Sequence, residues 1–352
     1  MSAPRGKIHP LLGWLEGRVR TPGARSYRIR VLVQVGFALL CLVLGVAFAR
    51  FVGAAQRGTL PLPERPPGVE GFLPISGLMG LLDAFYQGTL NRVHPAATVL
   101  FVIFVLIAIV ARKAFCSWIC PVGLISEALA RLGRLLFGRL LRAPRWLDIP
   151  LRSLKYLLLG FFLWAIFVMG PDGLRAFITS DYNQVADVKM YLFFAEISRT
   201  GAIVLVVLAL LSVVVQGAWC RYLCPYGALL GIFSWLSPVK VRRRAETCTD
   251  CKACDNVCMA HLPVSRLPAV SSAECTGCLD CLAVCPAAGT LTVGPPHQRW
   301  RPLTFAAVVV GLFLAGYVLA NAAGWWANDI PDQRYIEHMR RLDDPLYSHP
   351  GR

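Results

Sequence analysis

Five stretches of this chain stay apolar for long enough to cross a hydrocarbon layer of about 30 Å: residues 31–53, 97–114, 154–171, 202–219 and 303–323. A segment in lipid must satisfy its backbone polar groups internally, so each stretch is expected to be a helix. That predicts a mostly α chain, a polytopic membrane helical bundle of about five spans. Composition agrees: 56% of the residues are hydrophobic although the net charge is +16, an unusual combination for a soluble domain. A weaker apolar patch, Gly71 to Leu82, contains Pro74 and three glycines and reads as an interfacial or re-entrant piece.

Charge orients the spans. The segment before the first span and the loops Arg112 to Lys155 and Arg221 to Arg301 hold 25 of the 36 lysines and arginines, against 11 for the remaining loops. With acidic residues included, the two sides carry net charges of +17 and −1. The positive-inside rule therefore predicts a multi-pass membrane protein whose amino terminus and basic loops are cytoplasmic and whose carboxy terminus lies on the outer side. The first span reads as an anchor rather than a signal peptide, because its apolar core is long and no cleavage site is apparent. The basic loops could also be read as a nucleic-acid surface, but their place beside each inner membrane face makes topology the better account, and no nucleic-acid partner is expected.

Twelve of the thirteen cysteines fall in four tight groups. Two groups have the spacing C-x2-C-x2-C-x3-C: Cys248, Cys251, Cys254 and Cys258, then Cys275, Cys278, Cys281 and Cys285, the last followed by Pro286. This spacing follows the bacterial ferredoxin pattern, in which three ligands of a [4Fe-4S] cube come from one run and the fourth from the other. The pattern pairs Cys248, Cys251, Cys254 and Cys285 in a first set, and Cys275, Cys278, Cys281 and Cys258 in a second. Two structural zinc sites are the alternative, since four thiolates also suit tetrahedral zinc. Disulfides fit poorly, because cysteines at such short gaps meet bridge geometry only with strain. The first run continues into Met259, Ala260 and His261 instead of proline, which raises the question of whether His261 approaches that cluster.

A repeat lies in the middle of the chain. Ala114 to Gly123 and Ala218 to Gly227 align at an offset of 104 residues, each following an apolar stretch and each carrying C-x3-CP. Both stretches would run in the same direction, giving two parallel repeats about an axis along the membrane normal. Pseudo-symmetry would gather Cys116, Cys120, Cys220 and Cys224 at the inner membrane edge, four thiolates suited to an additional cluster or metal site. A thiol-redox pair and simple packing as small hydrophobes are the competing readings. The proline after each second cysteine starts a new helix or bends the old one. Cys41 reads as a core residue. Phe115, Trp118, Trp219, Tyr222, Tyr226 and Trp235 read as an interfacial aromatic belt, with Trp325 and Trp326 at the other end of the last span.

Tandem C-x3-CP motifs after membrane spans, followed by two ferredoxin runs, resemble the NapH-type membrane ferredoxins and the carboxy-terminal half of NosR-type proteins across residues 70 to 290. They are also similar to the CcoG-type oxidase-assembly proteins. The chain departs from these groups in having no large flavin-carrying domain before residue 97 and only about thirty residues after its last span. The resemblance implies electron transfer between membrane quinol and periplasmic reductases or their maturation, with protein redox partners in the membrane or periplasm and membrane lipid around the spans. Two function classes follow: a redox carrier linking the quinone pool or a cytoplasmic donor to a respiratory reductase, and a redox-sensing or metal-centre assembly factor. Rapid quinol-dependent reduction would favour the first.

The expected organisation is a basic cytoplasmic terminus (1–30), a membrane domain (31–240), a cytoplasmic ferredoxin-like insert (241–298), a last transmembrane helix (299–323) and a periplasmic tail (324–352). No C-x2-CH occurs and no histidine lies inside a span, so neither covalent haem nor a bis-histidine membrane haem is expected. No P-loop and no GxGxxG after a strand is present. Quinol oxidation needs a proton acceptor at the membrane edge, and on the outer side His94, Asp83 and Glu196 are the candidates. The tail, with Tyr335, Tyr347 and Pro350, reads as a partner contact or a disordered end.

Overall fold

Each apolar stretch lies in a helix in the structure, a computed structural model that describes residues 24–138 and 143–347. Three helices are long and apolar enough to cross a membrane, over 25–57, 146–168 and 302–322. A fourth is added if Ala186–Ala195 and Arg199–Val214, bent by 80°, count as one span. Pro95–Ala111 is shorter and equally apolar. Many outward side chains on these helices are large hydrophobics, among them Leu32, Val43, Phe161 and Leu319, each more than half exposed. Such a surface is stable in lipid and costly in water. The chain is a membrane protein.

Helix ends differ from the apolar stretches for a local reason. The sequence pattern runs to 114 and to 219, whereas the helices stop at Ala111 and Val214. Left-handed backbone follows each stop, at Arg112 (φ +62°) and Gly217 (φ +67°), and a single such residue ends an α-helix. The C-x3-CP segments begin from these two turns. The patch at Gly71 to Leu82 becomes a short turn, Pro67–Phe72, and a helix, Pro74–Gln87. Gly77 is required there: a Cβ on it would stand 2.6 Å from the Ala97 carbonyl oxygen.

The chain forms two compact units. One takes the chain up to Ala38, Ile107–Tyr156 and Leu205–Val310; the other takes Leu39–Leu106, Leu157–Val204 and the chain from Gly311. The first holds all twelve clustered cysteines. Within it, β1 (Lys240–Arg243) pairs antiparallel with β2 (Leu291–Gly294), Val241 opposite Val293, and the pair brackets both C-x2-C-x2-C-x3-C runs.

The core of the second unit joins Phe48, Phe51 and Val52 to Val69, Val185, Val188, Tyr335 and Tyr347. Of the two readings of the tail, the disordered end does not hold for its described residues, which pack into this core. Its helix Asp332–Arg340 buries Tyr335 edge-on against Phe51, ring centroids 5.0 Å apart. His338 Nδ1 lies 2.6 Å from the Tyr347 hydroxyl. Pro350 and the basic terminus before Ala24 lie outside the described residues. Cys41 is half-buried rather than a core residue.

Candidate metal centres

The two ferredoxin-type runs fold alike. Each has a left-handed residue (Lys252, φ +55°; Leu279, φ +61°), then a one-turn helix (Ala253–Val257; Asp280–Val284), then an extended cysteine (Cys258; Cys285). The turn curls three cysteines around one space, and the extended residue carries the fourth away from it. Two pockets result. One is lined by Cys248, Cys251, Cys254 and Cys285; the other by Cys258, Cys275, Cys278 and Cys281. The folded chain therefore gathers the same three-plus-one sets that the spacing pairs. Met259 and Ala260 line the second pocket, which Cys258 serves, and His261 lines neither.

Burial shapes the chemistry of these thiols. It pushes Cys258 up to about 11, and burial with the nearby Asp255 carboxylate pushes Cys254 up to about 12. Thiols held this way keep their protons until a metal replaces them. Among the described residues, no three histidine, cysteine or acidic side chains converge on a site for a single ion. The sulfurs surround a space instead, which suits a four-iron cube better than lone zinc.

The C-x3-CP segments also match each other. The Cys120 amide donates to the Phe115 carbonyl at 2.9 Å, and the Cys224 amide to the Trp219 carbonyl at 3.0 Å. Each second cysteine is extended, and its proline opens a helix, Pro121–Phe137 or Pro225–Phe233. Proline at a first helical position loses no hydrogen bond, so of the two expected roles it starts a new helix. The Gly227 amide donates to Cys224 Sγ at 3.3 Å. Cys116, Cys120, Cys220 and Cys224 are close enough for their charges to act on one another, with Tyr226 beside Cys116, Cys120 and Cys224.

Several residues that bind this unit together carry no sequence signal of their own. Trp118, fully buried, donates from Nε1 to the Gly277 carbonyl at 3.0 Å, and Ser117 Oγ donates to the Thr276 carbonyl at 2.7 Å. Trp118 is thus not part of an interfacial belt, and neither are the buried Phe115 and Tyr222; Trp235 is exposed. Gly277 packs so closely that a Cβ would stand 3.2 Å from the Ala111 carbonyl oxygen. Lys155 Nζ sits 2.7 Å from both Glu274 carboxylate oxygens. Arg30 donates to Glu127 at 2.6 and 2.9 Å and to Asp280 at 3.0 Å. Arg30 and Glu127 beside apolar segments were the available clue, since charges there are rarely idle.

The three quinone candidates do not come together. His94 is buried, with Nε2 2.6 Å from the Asn183 carbonyl oxygen and Nδ1 3.3 Å from Glu70 Oε1. Glu70 is also held by Arg65 at 2.7 Å and by the Ala97 amide at 2.9 Å, and Arg65 binds Asp187 at 2.7 Å. Asp83 is buried and accepts from Asn91 at 3.4 Å. Glu196 is exposed at the end of Ala186–Ala195. Arg65, Glu70 and Asp187 were missed because they lie in separate segments, a loop, a short turn and a helix start, whose pairing only the fold reveals.

Apolar helices and paired cysteine pockets together define a membrane iron-sulfur protein of the electron-transport class. A family described as a 4Fe-4S binding domain matches residues 93–142 and 200–244, the two segments that carry C-x3-CP. The chain is 45% identical to protein YccM of Escherichia coli (strain K12) over 294 residues, 81% of each chain. It is 28% identical to the ferredoxin-type protein NapH of Haemophilus influenzae over 246 residues, 67% of this chain and 76% of NapH. It is 29% identical to the regulatory protein NosR of Pseudomonas aeruginosa over 227 residues, 60% of this chain and 29% of NosR. No solved structure matches. The chain belongs to the family of membrane ferredoxin-type proteins that includes YccM.

Proposed function

We propose that this chain carries single electrons between the quinone pool or a cytoplasmic donor and a respiratory reductase or maturation partner. The observation that supports it most is the pair of pockets, each lined by one three-plus-one cysteine set. In this reading Cys248, Cys251, Cys254 and Cys285 hold one [4Fe-4S] cluster, and Cys275, Cys278, Cys281 and Cys258 hold the other. Such clusters exchange one electron at a time. Cys116, Cys120, Cys220 and Cys224 hold a further cluster or metal; the double match of one family to their two segments supports this, and also supports a repeated membrane domain.

The charge distribution supports a topology of about five spans, with the amino terminus and the insert of residues 241–298 cytoplasmic and the tail periplasmic. On the periplasmic side, His94 paired with Glu70 is the group best placed to accept a quinol proton, since a buried carboxylate stabilises the imidazolium. Asp83, buried with Oδ1 lacking a hydrogen-bond partner, is the second candidate, and Glu196 is weaker because it is solvent-exposed.

Oxygen-free purification followed by iron and acid-labile sulfide counts and EPR during a redox titration tests this function. Two clusters predict eight irons and a third cluster twelve, at four per cube. Cys254→Ser or Cys281→Ser should remove one cubane signal, and Cys116→Ser with Cys220→Ser only the third. Colourless protein holding zinc would overturn the proposal.

A further inference from the structure

The two pockets differ in their walls. Apart from its cysteines, the second is lined by Val241, Leu262, Val264, Val270 and similar residues, with no charged side chain. The first is lined by Arg243 and Lys252 as well as by polar residues, and Arg243 Nε is buried without a hydrogen-bond partner. Exposure differs in the same sense: Cys251 is solvent-exposed, whereas Cys281 is buried.

Ion pairs beside the two sets are balanced in both cases. Near the first set, Asp250 lies 3.8 Å from Cys248 and Asp255 3.7 Å from Cys254, so with Arg243 and Lys252 the charges there cancel. Asp255 is further engaged by the Ser265 amide and hydroxyl at 2.7 and 2.6 Å. Beside the second set, Asp280 and Arg30 both act on Cys278. Arg30 is shared between Asp280 and Glu127, and Arg131 also holds Glu127 at 2.6 Å, so the charges there cancel as well and the two sets differ in their walls and their exposure.

Most hydrogen bonds that tie the insert to the membrane segments fall on one loop, and Gln216 Nε2 adds a contact at 2.6 Å to Met259 Sδ, next to Cys258 of the same set. Ser117, Trp118, Lys155 and Arg30 reach Thr276, Gly277, Glu274 and Asp280, all within or beside the second run. Arg112 adds a hydrogen bond to the Ser272 carbonyl. Trp118 lies inside the first C-x3-CP motif, and its partner Gly277 lies between Cys275 and Cys278.

We propose that the two sets are electrically and positionally unequal: the Cys248 set is the outward terminal, where Arg243, Lys252 and solvent favour an added electron, and the Cys275 set is the membrane-side pocket, where the added electron is held less firmly. This rests on the reading that both sets hold [4Fe-4S] clusters. Adding an electron increases negative charge, which cations and water stabilise and which an enclosed apolar wall does not. One electron is gained by the set and lost by its carrier, with no bond or proton changing hands. The carrier at the outward terminal is a soluble one-electron protein that meets the exposed Cys251 edge.

EPR redox titration of the intact membrane protein tests the assignment, with a dysprosium chelate as a water-soluble relaxing agent. Cys251→Ser and Cys278→Ser identify the two signals. The signal lost in Cys251→Ser should titrate at the higher potential, reduced at least tenfold more readily, or about 59 mV for one electron, and the chelate should broaden it first. Arg243→Gln, which leaves all eight cysteines in place, should lower that midpoint alone. The inference is overturned if the Cys278 signal has the higher midpoint, if the chelate broadens it first, or if Arg243→Gln moves both signals equally or neither. Absence of cubane signals from the wild-type protein would instead overturn the function on which the inference rests.

Discussion

Trp118 shows how one side chain can join two motifs that lie far apart in sequence. Its indole lies against Phe305, ring centroids 5.4 Å apart, and donates to the Gly277 carbonyl. Trp118→Phe keeps most of the apolar volume and leaves that buried carbonyl unpaired, which costs about 1–3 kcal/mol. Thermal unfolding in detergent should show the loss, with all iron retained. His94 makes a second case. Burial disfavours its charge, but the Glu70 carboxylate outweighs this and raises its pKa above the usual histidine value. The stabilisation from that pair is complete below the unfolded histidine pKa of about 6.5 and is lost as pH rises through the raised folded value. Wild-type protein should therefore melt lower at pH 9 than at pH 6. Glu70→Gln should abolish most of that difference and cost about 3–5 kcal/mol, as expected on breaking a buried pair. The grouping of eight cysteines around two pockets was legible in sequence because the spacing within each run is short and local. The partners of His94 and Trp118 were not, because they come from segments distant in sequence.

Helices here end where single residues leave right-handed space, and the C-x3-CP element depends on such endings. In the first copy a Cβ on Gly123 would stand 2.0 Å from the Cys116 carbonyl oxygen; in the second the nearest atoms to Gly227 are 3.6 Å away, an ordinary contact. Gly123→Ala should thus destabilise by about 1–3 kcal/mol or more through overpacking, whereas Gly227→Ala should be nearly neutral in the same melting assay. The repeat was legible as a motif, yet the two copies are not equally tight. Cys220 also sits in a π-helical turn, Trp219–Leu223, where its counterpart Cys116 sits in an α-helical turn. The tail helix was illegible for another reason. Asp332–Arg340 is rich in charge along its exposed faces, and only packing shows that Tyr335 and Ile336 are buried. Tyr335→Ala should cost about 3–5 kcal/mol, as for other large aromatic truncations in a core.

At the scale of the whole molecule, one buried triad fastens three distant parts of the first unit. Arg30 comes from the first long helix, Glu127 from the helix after the first C-x3-CP motif, and Asp280 from the second cysteine run. Glu127→Gln should cost about 3–5 kcal/mol and loosen the second run, so that iron is lost from Cys275, Cys278, Cys281 and Cys258 more readily than from the other set; iron release to a chelator followed by EPR measures this. Membrane character, helical class and the cysteine sets were determined by the sequence alone, since hydropathy over some twenty residues and ligand gaps of two or three are local quantities. Which set is gripped by the membrane segments, which is exposed to solvent, and which charges face each was decided only by the tertiary structure. Burial and electrostatic neighbourhood depend on residues brought together from positions up to 250 apart, and no local pattern encodes them.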